Sequence, residues 1–260
     1  MHGVRTLTEL RDALEHCYTA MEALCTDLSD DEWRARSLCP DWTMRDVVDH
    51  ATGIEAAMAG WLPEDQTTTP AFEQVNAFLA DTSPYPDKVR AVCDRRRRDL
   101  AVLSEEDLQR PSWTPVGPAT YGQFLAIRVF DLWVHERDIT TPLGRATEDG
   151  GIAAELALAQ VEGSLGYIVG KKVGLPDGKA ITFELTGPIT RRLHVAVDGR
   201  AARVEHLDDP DVTVTTDSTT FIQLACGRID PQTQIDAGAI RWTGDDNLGD
   251  RAARNLRFTM

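Results

Sequence analysis

The sequence predicts an α+β fold in which a helical domain precedes a small domain with an antiparallel sheet. Three observations lead to this prediction. Apolar residues recur at helical spacing through most of residues 6–171. Short alternating runs rich in β-branched residues follow, such as "AITFELTG" and "DVTVTT". The stretch "KVGLPDGK" between them has the Gly and Pro of a linker. Strands that follow helices favour two domains, which we place at 1–175 and 176–260.

The helical part begins with an amphipathic helix at 6–28, in which leucines and a methionine recur on one face. Ser29 is expected to cap a short second turn. Thr43 precedes Asp46 by three residues and an apolar run by one, which is a variant of the capping box. Further helices are predicted, in order, at residues 43–61, 71–80, 86–103, 120–140 and 151–171.

The second part contains the predicted sheet. Its strands are expected at "AITFELTG", "RRLHVAVDG", "AARVEHL", "DVTVTT" and "AIRWTGD". A helix is predicted at "DSTTFIQLACGR", starting with Asp217 or Ser218 as N-cap and stopping at Gly227. The stretch "DNLGDRAARNLRF" is predicted to be a closing helix.

Composition and charge narrow the possible function classes. A formal net charge of −15 repels phosphate backbones, so nucleic-acid binding is not expected. We find no run of about 18 apolar residues and no basic-then-apolar start, so neither a membrane span nor a signal peptide is expected. Five scattered cysteines without a CxxC pair indicate a reducing, cytoplasmic setting. The basic run at 95–98 is interpreted as a solvated helix face or, alternatively, an anion patch.

The stretch "RVFDLWVHERD", residues 128–138, combines the apolar residues of a buried helix with a stripe of polar side chains. The members of this polar stripe are Arg128, Asp131, His135 and Asp138. At about 100° per residue they fall within roughly 80° of one another. Asp131 and His135 are spaced i, i+4, so a carboxylate and an imidazole lie one above the other and could share a metal ion.

A third ligand must come from another helix, and His50 is the candidate. Within residues 43–61, His50 falls on the edge of the apolar stripe and should face a neighbouring helix. Two histidines and a carboxylate with an open position are typical of a catalytic site for zinc or a similar divalent metal. The same residues also fit a hydrogen-bonded core histidine and a simple Asp131–His135 ion pair, so both interpretations stay open.

Two segments together resemble the signature segments of the mycothiol-dependent maleylpyruvate isomerase family. They are "CPDWTMRDVVDH" (39–50) and "RVFDLWVHERDI" (128–139). The resemblance implies a DinB-like four-helix bundle followed by a small α+β domain of sterol-carrier type. In that family the bundle binds a divalent metal through a histidine and an acid-x-x-x-His pair, positions that fall here on His50, Asp131 and His135. The isomerase itself has glutamate where this chain has the shorter Asp131.

The resemblance further implies mycothiol as a thiol cofactor and a small electrophilic substrate. A metal lowers the pKa of a bound thiol, and the thiolate can add to an activated double bond or displace a leaving group. The predicted function is therefore a metal-dependent isomerase or S-transferase. Arg128 and Asp138 are assigned to the cofactor site, Asp138 as orienter of a ligand imidazole or as ion-pair partner of Arg128. Arg228, with Arg241 as a rival, is expected to hold a substrate carboxylate.

Two further functions stay open from the sequence. A metal-dependent hydrolase would use the same ligands to activate water. A non-catalytic module for small molecules or lipids would keep the polar stripe only as a structural cluster. Cys39 and Trp42, beside the first motif, are interpreted as structural residues. The sequence identifies neither the substrate, nor the metal, nor the oligomeric state.

Overall fold

A computed structural model describes residues 5–258 of the chain. It contains two compact units, which divide between Thr147 and Glu148. This division comes earlier than the sequence-based one at 175/176. The reason is that the helix Gly151–Tyr167 packs against strands of the second unit, so its apolar residues belong to that unit's core.

The first unit is helical. Its elements are α1 (Leu7–Asp27), α2 (Asp30–Arg34), α3 (Met44–Met58), α4 (Glu73–Ala80), α5 (Tyr85–Ala101), a 3-10 turn (Asp107–Gln109), β1 (Pro111–Ser112), β2 (Ala119–Thr120) and α6 (Tyr121–Thr140). Helices α1, α3, α5 and α6 form a four-helix bundle, because α1 and α3 each pack against both α5 and α6. The predicted helical bundle is thereby confirmed.

Local sequence signals set where these helices begin. The side chain of Thr43 accepts a hydrogen bond from the amide of Asp46, whose own side chain accepts from the amide of Thr43. This is the predicted capping box. Ser29 caps α2 in the same way, as expected. Helix α6 is buried along most of its length, polar residues included.

The second unit combines helices with a sheet. Its elements are α7 (Gly151–Tyr167), a π-helical turn (Ile168–Val173), β3 (Ala180–Thr186), β4 (Arg191–Asp198), β5 (Arg200–Val204), β6 (Val212–Asp217), α8 (Ser218–Ala225), α9 (Pro231–Asp236), β7 (Ile240–Gly244) and α10 (Asp246–Arg254). The predicted α+β class is confirmed. Asp217 is the N-cap of α8, and Gly227 follows its end with a φ of +67° that suits glycine.

The sheet of the second unit has the strand order β5-β4-β3-β6-β7. Three neighbouring pairs are antiparallel, as predicted, but β3 and β6 run parallel. The antiparallel expectation was therefore incomplete. The parallel pair arises because the loop 205–211 carries the chain from the edge strand β5 across to the far side of β3.

One apolar helix bears on the question of a membrane span. The continuous stretch Gly151–Val173 is long and apolar enough to cross a membrane by length and composition, and its most apolar 18-residue window has a mean hydropathy of 1.3. Within its most apolar window, 61% is buried inside the protein. A core helix of a globular protein passes the same test, and the packing of α7 on β4, β5 and α8 fits that role.

Candidate metal centre

Helices α3 and α6 bring three potential metal ligands together on one side of the bundle core. Their ligand atoms, from His50, Asp131 and His135, all lie within 4.8 Å of one another. His135 Nε2 is 3.6 Å from Asp131 Oδ1, and His50 Nε2 is 3.8 Å from Asp131 Oδ2. His135 is buried, whereas the side chains of His50 and Asp131 retain 37% and 26% of their exposure. One side of the cluster is therefore open to a ligand from solution.

The spacing of these atoms fits a small divalent ion. Zinc–nitrogen and zinc–oxygen bonds of about 2.0–2.1 Å in a tetrahedron separate ligand atoms by roughly 3.3–3.4 Å. The recorded separations of 3.6 and 3.8 Å exceed this by only a few tenths of an ångström. All three ligand atoms lie within 4.8 Å of one another, and the donor set of imidazole and carboxylate suits zinc.

The ring of His135 is held in one orientation by Asp138. Asp138 Oδ2 lies 2.8 Å from His135 Nδ1, and the Asp138 side chain is fully buried. A carboxylate only accepts hydrogen bonds, so the imidazole must donate from Nδ1. In the neutral ring this leaves the lone pair on Nε2, the atom that faces Asp131.

A second donor shares the same carboxylate oxygen. The thiol of Cys39 donates to Asp138 Oδ2 at 3.0 Å, and its sulfur is 3.8 Å from His135 Nδ1. Cys39, His135 and Asp138 thus form a buried cluster directly behind the proposed ligand. Cys39 was interpreted from the sequence as structural, without any expectation that it touches the site.

The loop before α3 covers this side of the site. Its position is fixed to α6 by a hydrogen bond from the amide of Leu38 to the carbonyl of Asp138, at 3.0 Å. Asp41 adopts a left-handed conformation with a φ of +65°, which aspartate tolerates better than most residues. The loop places the Trp42 ring 5.1 Å from the His50 ring and 6.1 Å from the His135 ring. Trp42 is therefore a wall of the site and not only a core residue.

The charge of Asp131 is stabilised by Arg128. Arg128 Nη1 donates to Asp131 Oδ2 at 2.9 Å. Burial by itself would raise the pKa of Asp131, but the neighbouring cation of Arg128 outweighs burial and holds this pKa well below its usual range. Asp131 is thus a carboxylate, the form that binds a metal. It is paired with Arg128 yet still faces His50, so it is not turned away from the imidazoles.

Arg128 is itself part of a buried ion network. Its Nε donates to Glu55 Oε1 at 2.8 Å, and Nη2 donates to the carbonyl of Ala51 at 3.3 Å. The other oxygen of Glu55 accepts from Arg96 Nε at 2.9 Å and from the Tyr18 hydroxyl at 2.8 Å. Burial would raise the pKa of Glu55, but the two arginines outweigh it and the pKa is lowered.

Two members of this network lay outside the sequence-based expectations. Glu55 follows Val47 and Ala51 at i, i+4 spacing, so a carboxylate falls in the apolar row of α3, and that was the available signal. Arg96 belongs to the basic run interpreted as a solvated face. Its side chain has 0% exposure, because this position of α5 points into the bundle.

Two further predicted site residues, Arg228 and Arg241, belong to the second unit. Arg228 is half-buried in the second unit just after α8, and its Nη1 donates to the carbonyl of Cys226 at 3.1 Å. Its rival Arg241 is exposed on β7. The assignment of Arg128 and Asp138 to cofactor binding, and of Arg228 to the substrate, stays a prediction.

Comparison with known proteins agrees with this architecture. The family model for the mycothiol maleylpyruvate isomerase N-terminal domain matches residues 14–140, and that for the MDMPI C-terminal domain matches residues 155–251. A search of curated proteins finds no significant match. A crystal structure of the mycothiol-dependent maleylpyruvate isomerase superposes with a TM-score of 0.60 at 17% identity, over 98% of each chain. A histidine-to-alanine mutant of that isomerase gives a TM-score of 0.59 with the same identity and coverage.

At such low identity the two structures establish a shared fold. The family models add sequence-level evidence over most of both units. The chain belongs to the mycothiol-dependent maleylpyruvate isomerase family.

Proposed function

We propose that this protein is a metal-dependent enzyme that uses a low-molecular-weight thiol of the mycothiol type for isomerisation or S-transfer on a small electrophile. The observation that carries the proposal is the convergence of His50, Asp131 and His135 within 4.8 Å of one another. Family membership supports the thiol and the reaction class. Zinc is the proposed metal, because imidazole and carboxylate donors suit it.

The residues of the chain have distinct parts in this proposal. His135 would present Nε2 in a fixed direction because Asp138 holds Nδ1. Asp131 would supply negative charge, since Arg128 keeps it ionised. The exposed sides of His50 and Asp131 would leave a path for the thiol and the electrophile. A divalent metal bound there would lower the pKa of a coordinated thiol and make thiolate available at neutral pH.

The surroundings proposed for the enzyme follow from its composition. The net charge of −15 supports a small-molecule substrate and not a nucleic acid. Five cysteines, all buried and not joined in disulfides, support a reducing and therefore cytoplasmic location. We propose no membrane partner. We further propose that Arg228 binds a carboxylate of the substrate, because a guanidinium can hold a carboxylate through two parallel hydrogen bonds.

Zinc content tests the metal site directly. Protein purified without a histidine tag is expected to hold about one zinc ion per chain, measured by elemental analysis after dialysis against zinc. His50→Ala and His135→Ala should each lose most of this zinc, because each removes one of three ligands. His194→Ala is the control. His194 shares a hydrogen bond with Thr182 in the second unit, so this variant should leave the zinc content unchanged. Full zinc occupancy in both ligand variants would show that the site is elsewhere.

Dependence on a small thiol tests the reaction class. Turnover of an electrophilic substrate, such as a cis-configured unsaturated keto acid, should require added mycothiol and should disappear in His135→Ala. Geometric isomerisation without loss of thiol would identify an isomerase, and a thioether product would identify an S-transferase. Turnover that persists without any thiol and consumes water would contradict the proposal and indicate a metal-dependent hydrolase.

A further inference from the structure

We propose that Glu55 and Arg128 form a positioning pair that holds Asp131 in place for the metal. This inference rests on the proposed metal site and concerns how the protein builds it. Neither residue is proposed to touch the metal. Glu55 is proposed to act through Arg128, and Arg128 through Asp131.

The geometry connects the two helices that carry the ligands. Glu55 lies on α3, five residues after His50, and Arg128 lies on α6, three residues before Asp131. The Glu55–Arg128 contact of 2.8 Å therefore joins the helix of one ligand to the helix of the other two. Arg128 also donates to the carbonyl of Ala51 on α3, at 3.3 Å. These two contacts fix the approach of α3 and α6 next to the ligands.

Arg128 also fixes the carboxylate itself. Its Nη1 donates to Asp131 Oδ2 at 2.9 Å, and Asp131 Oδ1 lies 3.6 Å from His135 Nε2. Asp131 Oδ2 is thus held by Arg128 and also lies 3.8 Å from His50 Nε2, whereas Oδ1 faces His135. Aspartate has a shorter reach than glutamate, so its carboxylate has less freedom to adjust to an ion. The hydrogen bond from Arg128 holds the Asp131 carboxylate in one position.

The charges show why Glu55 is needed. A cation beside a metal site would repel the metal if its charge were uncompensated. Glu55, at 1% exposure, compensates Arg128 through a 2.8 Å contact with its Nε, and shares its charge with Arg96. The two arginines, Glu55 and Asp131 together carry no net charge. Arg128 can therefore orient Asp131 by hydrogen bonding without placing an excess positive charge next to the ion.

Stability alone is a poor reason for such a network. Removing charges from water costs free energy that a buried ion pair recovers only with good geometry, and apolar replacements are often no less stable. A network that connects all four helices of the bundle and ends on a proposed ligand is instead suited to positioning.

Zinc affinity of the full-length chain provides the test, measured by competition with a chromophoric chelator. Arg128→Met should weaken zinc binding about 10–100-fold, the usual effect of losing a hydrogen-bonding partner of a ligand. Arg128→Lys should resemble Arg128→Met, because one ammonium group cannot make all three contacts of the guanidinium. Arg191→Met is the matched control, since Arg191 bridges Glu155 and Glu162 at 2.6 Å in the second unit. It should change affinity less than about twofold.

A double-mutant cycle tests whether Glu55 acts through Arg128. Glu55→Gln should weaken zinc binding in the wild-type background but have little further effect in the Arg128→Met background. Bound Co²⁺ gives a second readout. Its visible absorption should be weaker in the Arg128 variants, because the loss of a fixed Asp131 lets solvent raise the coordination number. Circular dichroism and thermal melts show which variants are folded. If Glu55→Gln does not fold, the zinc affinities of the Arg128 variants still test the positioning pair.

The outcomes separate this inference from the proposed function. If wild-type protein binds no zinc, or His50→Ala binds it normally, the metal site itself is wrong. If wild type binds zinc through His50 but folded Arg128→Met binds it within about twofold of wild type, the positioning pair is wrong and the metal site stands. Wild-type zinc affinity in Arg128→Lys would also contradict the positioning pair, because a positive charge at this position would then be enough for zinc binding without the geometry of the guanidinium. An undiminished effect of Glu55→Gln in the Arg128→Met background would show that Glu55 acts by another route.

Discussion

Asp131→Asn is expected to weaken zinc binding by at least about 100-fold, more than the loss of an outer hydrogen-bonding partner. The amide is neutral, so the site loses the only negative charge among its three proposed ligands. The amide is also a poor partner for Arg128, whose Nη1 donates to Asp131 at 2.9 Å. The measurement is a zinc titration against a chromophoric chelator at neutral pH.

Asp49→Asn is the matched control for this change. Asp49 is the neighbour of His50 on α3, but its carboxylate accepts a hydrogen bond from the Tyr85 hydroxyl at 2.9 Å. Asp49→Asn should therefore leave zinc affinity unchanged. Asp131→Glu retains the charge and should bind zinc more tightly than Asp131→Asn. If Asp131→Asn and wild type bound zinc equally, Asp131 would be only the ion-pair partner of Arg128.

Glu55→Ala is expected to lower the free energy of unfolding by about 3–5 kcal/mol, the usual result of leaving a buried charge without its partner. Arg96 and Arg128 would both lose their contact with Glu55, and neither can move readily to solvent. Chemical denaturation monitored by circular dichroism measures the change. Glu15→Ala is the control. Glu15 pairs at 2.7 Å with Arg97, the neighbour of Arg96, but its side chain is 53% exposed, so the change should cost about 0–1 kcal/mol.

The same network predicts a loss of stability in acid. The pKa of Glu55 is lowered in the folded protein because the arginines outweigh burial. A group whose folded pKa is depressed contributes stability above its unfolded pKa, and this contribution is lost as pH falls through the folded pKa. The difference in stability between wild type and the isosteric Glu55→Gln should therefore shrink below the ordinary glutamate pKa of about 4.3. A constant difference down to the acid transition would contradict this origin.

Local features of the site were readable from the sequence. Asp131 and His135 lie on one helix, so the helical period alone predicts that they share a face. The edge position of His50 on α3 predicted that it would face a neighbouring helix. The structure indeed brings His50 next to the other two, because α3 and α6 are neighbours in the bundle. Their role as metal ligands stays a proposal.

Other features depend on the path of the chain and not on local period. Cys39 reaches Asp138 although 99 residues separate them, because an irregular loop lies against α6. The pairing of Arg96 with Glu55 could likewise not be predicted from the sequence. Four consecutive arginines offer four directions around α5, and only the packed bundle selects the one that points inward. The parallel contact of β3 with β6 likewise depends on a crossover that alternating patterns do not encode.

The burial of the five cysteines bears on whether the protein's own thiols would react with an electrophilic substrate. If the site activates a small thiol toward electrophiles, as proposed, then any exposed thiolate of the protein would compete for the same electrophile and inactivate the enzyme. Burial raises the pKa of Cys25 to about 12, and it raises those of Cys17 and Cys93 further. Cys39, although next to the site, is buried and donates a hydrogen bond from its thiol to the Asp138 carboxylate at 3.0 Å. The fold thereby keeps the protein's own thiols buried, apart from the small thiol that the protein is proposed to use.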